Sequence, residues 1–258
     1  MDEATSARSI TLTILLPLIG EGMSLRAMLK MLTLDISVPY EIIMVHDGSP
    51  KTTAMLSEIS ASCPQLKVVV NDQGKGTLSS MNAGVREASG RYILLVCADS
   101  VGPVLAINQM VELAEEGYDF ISGTRYACGG RRLGGGVASQ AFSQVANTVL
   151  HRVAGCAFTD ATTGLKLFRK DVLTKLNLQT DTKGWVIAFE MALKAQAAGL
   201  KLGEVANISI DRICGGCSTA HLDQELGHYF SWFLWAFLNL KACPAAQVQV
   251  QPLRLPSN

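Results

Sequence analysis

Short, almost unbroken apolar runs alternate with longer segments whose apolar residues recur every three to four positions. This alternation fills the first half of the chain. Residues 10–16, ending at Pro17, have the continuous apolarity of a strand buried on both faces. Ser24 is placed to cap a helix reaching about residue 34. A strand is predicted at 41–45, a helix at 52–62, a strand at 66–70 and a helix at about 76–88. The run Tyr92-Ile93-Leu94-Leu95-Val96 reads as the next strand, followed by a helix at 105–116 and a short strand at 120–122. Parallel strands need crossover helices, so the pattern predicts a Rossmann-like α/β fold with a mainly parallel sheet and helices on both faces.

The second half is less regular. Residues 128–136 hold five glycines and two arginines, the composition of a mobile loop. A helix is expected at 138–154, a strand at 165–168, an amphipathic helix at 185–198, a strand at 205–210 and an aromatic-rich helix at 223–240. Neither an internal repeat nor a long linker divides the chain. The expected organisation is a disordered N-terminus at 1–9, one domain at 10–240 and a loose C-terminal tail at 241–258.

Composition narrows the class. With 258 residues, 48% hydrophobic and 17% charged, the chain can bury a sizeable α/β core. Its 22 basic and 22 acidic residues cancel, so no global field attracts nucleic acid and any phosphate site must be built locally. Seven scattered cysteines argue against a secreted disulfide framework. The polar, acidic start lacks the basic and apolar regions expected of a signal peptide, and the apolar stretch 229–240 falls short of the length expected to span a bilayer. A cytoplasmic location is expected, with peripheral membrane contact through the aromatic stretch Tyr229-Phe230-Ser231-Trp232-Phe233-Leu234-Trp235-Ala236-Phe237. Burial of that stretch as a helix capping the core explains it equally well.

Candidate chemistry clusters after the predicted strands, where ligands gather in open α/β sheets. His46-Asp47-Gly48-Ser49-Pro50 offers a carboxylate that can accept from a ribose hydroxyl or a base N–H, although the same residues also make a simple turn. Gly74-Lys75-Gly76 opens a helix and suits an anion, or is an ordinary helix-opening turn. Ser122-Gly123-Thr124-Arg125-Tyr126 sets a guanidinium just past a short strand, able to hold phosphate bidentately or to be a solvated loop arginine. Asp160-Ala161-Thr162-Thr163-Gly164 leads into the strand at 165–168. Cys214 and Cys217, with His221 and His228, count four zinc-type ligands. They form a single Cys-x-x-Cys pair without the usual flanking spacing, so ordinary loop thiols are the better reading.

In this order and spacing the segments resemble glycosyltransferase family 2, most of all its dolichol- or polyprenyl-phosphate sugar synthases, from about residue 10 to residue 240. The resemblance implies a GT-A fold and an inverting hexosyltransferase that takes a nucleoside-diphosphate sugar to a polyprenyl (dolichyl) phosphate or similar acceptor. It assigns Pro17, Ile19, Glu21, Val45, Asp47, Lys75, Ala98 and Asp99 to the nucleotide, and Asp99, Arg125 and Arg212 to catalysis. Glu190 and Trp185 fall on the acceptor side. Asp99 would also be the ligand of a Mg²⁺ or Mn²⁺ cofactor.

The departures fall in the catalytic set. Cys97 stands where the first carboxylate of the family's Asp-x-Asp belongs, and Val101 replaces a polar residue. Cys217 and Ser218 replace a Ser-Lys pair, and residues 139–144 lack the family's arginine, for which Arg131 and Arg132 are candidate substitutes. A thiol and one carboxylate make a poor site for hard cations, which prefer oxygen. Each lost stabiliser of the leaving diphosphate removes about a hundredfold in rate, or about 3 kcal/mol. An already anionic acceptor phosphate, by contrast, needs no general base. A catalytically degenerate nucleotide-sugar-binding or regulatory paralogue is therefore the competing expectation. A nucleotidyltransferase on a related fold is a third.

Overall fold

The structure is a computed structural model that describes residues 10–18, 25–97, 102–134, 136–210, 222–240 and 248–254. Its described residues form an eight-stranded sheet. In spatial order the strands are β10 (Val248–Gln251), β8 (Leu202–Ala206), β5 (Phe120–Thr124), β7 (Lys166–Arg169), β4 (Tyr92–Leu95), β1 (Leu12–Pro17), β2 (Tyr40–His46) and β3 (Leu66–Val70). β7 runs antiparallel to both neighbours, and every other pairing in this sheet is parallel. The parallel strands therefore end on one common rim.

Central strands are apolar because both faces are covered. All six residues of β1 are buried. On one face lie α1 (Leu25–Asp35), α2 (Pro50–Ser60) and α4 (Ile107–Glu115), which contribute Leu25, Met28, Leu32, Leu56, Ile107 and Met110 to one core layer. The other layer takes Met81 and Val85 from α3 (Thr77–Glu87), Leu150 from α5 (Val137–Arg152), Ile187 and Phe189 from α7 (Val186–Ala197) and Ala236 from α8 (Leu222–Asn239). α3 approaches the sheet closely at Gly84, where a Cβ would stand 2.2 Å from Leu15 Cδ1. The α6 turn (Val172–Lys175) follows β7.

Five local expectations need correction. α2 begins at Pro50, ahead of Thr52, because Ser49 caps it and Pro50 sits in the first turn, where a missing N–H costs nothing. The glycine-rich segment contains a strand, β6 (Arg131–Leu133), paired in parallel with β9 (Ile208–Ile210) in a second small sheet. Residues 202–210 are thus two strands, since the chain leaves the main sheet at Asn207. α7 is not amphipathic: residues 186–193 are all buried, because the helix lies between the sheet and α8, and Glu190 is the one charge in that run. Looseness beyond Cys243 does not extend to β10, which closes the sheet edge against β8. Ser24 lies outside the described residues.

Candidate active site

β2, β1 and β4 are neighbours, so Asp47, Pro17 and Cys97 come to adjacent positions on the rim. Pro17 pairs in register with Val45, and the Leu18 N–H donates to the Val45 carbonyl at 2.8 Å, which carries the chain past the strand end. Asp47 is exposed. Its Oδ1 accepts the Ser49 N–H at 3.1 Å in a turn that Gly48 closes at φ +78°. The turn reading of this motif is therefore present in the fold, and Asp47 stays exposed beside it. Val45 is different: its side chain is wholly buried beneath α3 and its carbonyl is engaged, so it can only shape the floor. Ile19, Glu21, Ala98, Asp99 and Arg212 lie outside the described residues.

The helix start at Gly74-Lys75-Gly76 is already filled by this chain. Asp181 accepts the Ser79 N–H at 3.0 Å and the Ser79 hydroxyl at 3.3 Å. The Thr77 N–H donates to the Thr182 carbonyl at 2.7 Å, and its hydroxyl to the Gly184 carbonyl at 2.9 Å. An internal carboxylate thus holds the helix N-terminus that an external anion was expected to occupy. The glycine at 76 follows from the same contact, since a Cβ there would lie 2.0 Å from Asp181 Oδ1. Lys75 itself is exposed at this junction.

Arg125 is not a solvated loop residue. Its Nε–H and Nη2–H donate to Asp160 at 2.6 and 2.9 Å, its backbone N–H donates to the same carboxylate at 3.1 Å, and Thr162 Oγ1 accepts at 3.1 Å. Burial pushes the Asp160 carboxyl up, but the Arg125 guanidinium outweighs it and holds the group below its usual range. Behind this pair, Lys166 is fully buried and donates to Ser122 Oγ at 2.7 Å and the Ala161 carbonyl at 3.1 Å. Burial lowers its pKa to about 8 against the pull of Asp160 and Glu204. Glu204, also buried, is raised to about 7 by desolvation, although the Thr159 and Asp160 N–H groups stabilise its ionised form.

Glu190 is corrected in role. It is wholly buried, with its oxygens accepting the Gln179 and Thr180 N–H groups at 2.8 Å each and pairing with Lys194 at 2.7 Å. It fixes the 179–184 loop and does not face an acceptor. Trp185 caps α7, with its half-buried ring against Gly164. Asn207 is 1% exposed, and neither atom of its side-chain amide has a hydrogen-bond partner among the described residues.

The aromatic stretch of α8 is divided between the two expectations. Ala236 is buried and Trp232 Nε1–H donates to Thr180 at 2.8 Å, whereas Phe230, Leu234, Phe237 and Leu238 are exposed on the outer face. No helix among the described residues is long and apolar enough to cross a membrane. Among those residues, too, no three His, Cys, Asp or Glu side chains stand close enough to hold a metal. Asp99, the residue expected to ligate Mg²⁺ or Mn²⁺, lies outside the described residues, and the thiol of Cys97 is a poorer ligand for such hard cations than a carboxylate would be.

A mainly parallel sheet interrupted by one antiparallel strand, with Asp47, the β4 end and Arg125 along its carboxyl rim, defines a Rossmann-like α/β protein of the GT-A kind. The chain belongs to glycosyl transferase family 2, whose family model matches residues 13–176. It is 29% identical over 166 residues to an undecaprenyl-phosphate 4-deoxy-4-formamido-L-arabinose transferase of Serratia proteamaculans, covering 62% of this chain and 49% of the relative. A Yersinia enterocolitica protein of the same description is 26% identical over 178 residues, covering 67% and 52%. The chain therefore spans about half the length of these curated relatives. Among solved structures, a mannosyltransferase from Pyrobaculum calidifontis in complex with GDP-mannose and Mn²⁺ superposes with a TM-score of 0.66 at 18% identity, covering 92% of this chain and 66% of that one. Glucosyl-3-phosphoglycerate synthase from Mycobacterium tuberculosis gives 0.66 at 14% identity, covering 90% and 82%.

Asp160 and Lys166 were singled out from sequence only as part of the 160–170 segment, without a role of their own, and Glu204 and Asp181 were not singled out. Glu204 left a signal, since it is a lone charge inside an otherwise apolar strand, whereas Lys166 opens a strand that also ends in Arg169.

Proposed function

We propose that this chain is a glycosyltransferase that moves a hexose from a nucleoside-diphosphate donor to a polyprenyl-phosphate acceptor, with inversion at the anomeric carbon. The observation that carries the reading is the meeting of Asp47, Pro17 and the β4 end on adjacent parallel strands. This gives a nucleoside-side carboxylate next to the segment that bears Asp99. In the reaction an acceptor phosphate oxygen attacks the anomeric carbon as the bond to the donor diphosphate breaks. The nucleoside diphosphate departs with the bonding electron pair. The acceptor oxygen is anionic near neutral pH, so no side chain has to remove a proton.

Charge developing on the leaving diphosphate falls to cations at the rim. Lys75 is exposed there, and Arg125 is held in a fixed orientation by Asp160. Pairing of β6 with β9 sets Arg131 and Arg132 beside the strand that leads to Arg212, which supports their service in place of the arginine missing from α5. The exposed apolar face of α8 supports peripheral contact with the membrane that would hold such an acceptor. Asp99 is the carboxylate through which Mg²⁺ or Mn²⁺ would enter the site. The thiol at Cys97 favours a second reading, a nucleotide-sugar-binding paralogue without transfer.

Calorimetry with UDP, GDP and their sugars, with and without Mn²⁺, tests donor binding, and release of free nucleoside diphosphate in the presence of undecaprenyl phosphate tests transfer. Binding with turnover supports the enzyme and binding without turnover supports the paralogue. Absence of any binding contradicts both, and release of pyrophosphate would indicate a nucleotidyltransferase.

A further inference from the structure

Lys166 on β7, Ser122 on β5 and Glu204 on β8 stand in one register row across three adjacent strands, all wholly buried. Glu204, at one end of the row, gathers the segment that follows Phe158. The Thr159 N–H reaches both carboxylate oxygens at 3.0 Å, the Asp160 N–H reaches Oε1 at 3.1 Å, and the Thr159 hydroxyl reaches Oε2 at 2.9 Å. Asp160, fixed in this way, grips the Arg125 guanidinium through two side-chain bonds. We infer that Glu204 is a positioning residue for the rim: through Asp160 it aims Arg125, and its proton state sets how firmly that aim is held. The inference rests on the reading of Arg125 as a substrate-side cation.

The hydrogen bonds explain why a proton matters here. As a carboxylate, Glu204 accepts every bond around it. Once protonated it must donate, and the two N–H neighbours cannot accept. The Thr159 hydroxyl is the neighbour able to reverse, and it is joined to Thr124 Oγ1 at 2.7 Å. Thr124 in turn accepts the Tyr126 N–H at 3.2 Å and directly precedes Arg125. A proton on Glu204 therefore weakens the charge-assisted hold on the 159–160 segment and turns over a hydroxyl chain ending beside Arg125. The charged and titratable groups facing this cluster are Asp160 and Cys156 from the 156–162 loop, Lys166 from β7 and Arg125 beyond β5. Burial first, and then the nearby Asp160 charge, bring the Glu204 transition to about pH 7.

Glu204→Gln freezes the acid form. Its amide oxygen can keep the two N–H bonds made to Oε1, while its NH₂ must donate to Thr159, as the protonated acid does. The test follows the Thr159 and Asp160 amides and the Arg125 Nε–H by NMR from about pH 5.5 to about pH 9, alongside calorimetric Kd values for UDP and GDP. Wild type should show a common titration of these three resonances near pH 7, and the variant should lose that step and keep only a change that follows Lys166. The variant should also bind nucleotide about fivefold more weakly than wild type at about pH 8, with the difference vanishing at about pH 6. Ionisation of the nucleotide's own terminal phosphate near pH 6 affects both proteins alike. Thr159→Val, which removes one donor to the carboxylate, should move the wild-type midpoint upward. A step near pH 7 in the Arg125 Nε–H that persists unchanged in Glu204→Gln, or a midpoint unmoved in Thr159→Val, would overturn the inference. If neither nucleotide binds wild type at any pH, the substrate reading fails, and the Arg125 resonance still decides whether Glu204 aims it.

Discussion

Replacing Asp181 by alanine tests whether an internal carboxylate has taken the place of an external anion. The substitution removes the acceptor of the Ser79 N–H and hydroxyl at the first turn of α3. Loss of a cap of this kind costs about 1 kcal/mol, and loss of a negative charge at a helix N-terminus adds about 0.3–1 kcal/mol. Because Asp181 is an exposed residue, screening favours the lower part of that sum, about 1.3–1.5 kcal/mol. For a chain of this size each kcal/mol lowers Tm by about 2–4 °C. Urea unfolding should give a lower midpoint with an unchanged slope. The variant also leaves the helix start open, so sulfate should stabilise it more than it stabilises wild type. A stability change below about 0.5 kcal/mol, or equal sulfate responses, would refute the reasoning.

Two further outcomes follow from the buried polar groups. The folded pKa of Glu204, about 7, lies above its ordinary 4.5, so the native state holds that proton more tightly and stability should fall as pH rises through this interval. Lys166 titrates at about 8 in the fold against an ordinary 10.5, so stability should recover as pH rises from 8 towards 10.5. Urea midpoints measured across this range should pass through a minimum between the two transitions, and a monotonic trend would contradict the assignment. Asn207→Leu removes a buried amide with no partners among the described residues and should raise stability by about 1–3 kcal/mol. A loss of stability in thermal unfolding would show that the amide is satisfied in solution.

The strands were legible where both faces are buried. Runs such as Leu12–Pro17 and Tyr92–Leu95 have no charged position to confuse them with surface helices. β6 was hidden because its pairing with β9 joins residues far apart in sequence, while its own composition of arginines flanked by glycines signals a loop. α7 escaped description as a buried helix because Lys194 and Glu190 suggest a polar face, yet those two side chains pair with each other. Asp47 and the β4 end were legible because chemistry follows strand ends. Asp181 was not: it sits in a polar stretch whose partner, Ser79, is 102 residues away. Glu204 is likewise far in sequence, 45 residues, from Thr159 in the loop it holds.

The proposed activity is tested most directly by incubating the chain with undecaprenyl phosphate and labelled UDP- and GDP-hexoses, alongside Asp99→Asn. Sugar transfer predicts label in the lipid fraction, one free nucleoside diphosphate per transfer, and a loss of about a hundredfold in the variant. Absence of labelled lipid with every donor, or equal yields from wild type and Asp99→Asn, would contradict it.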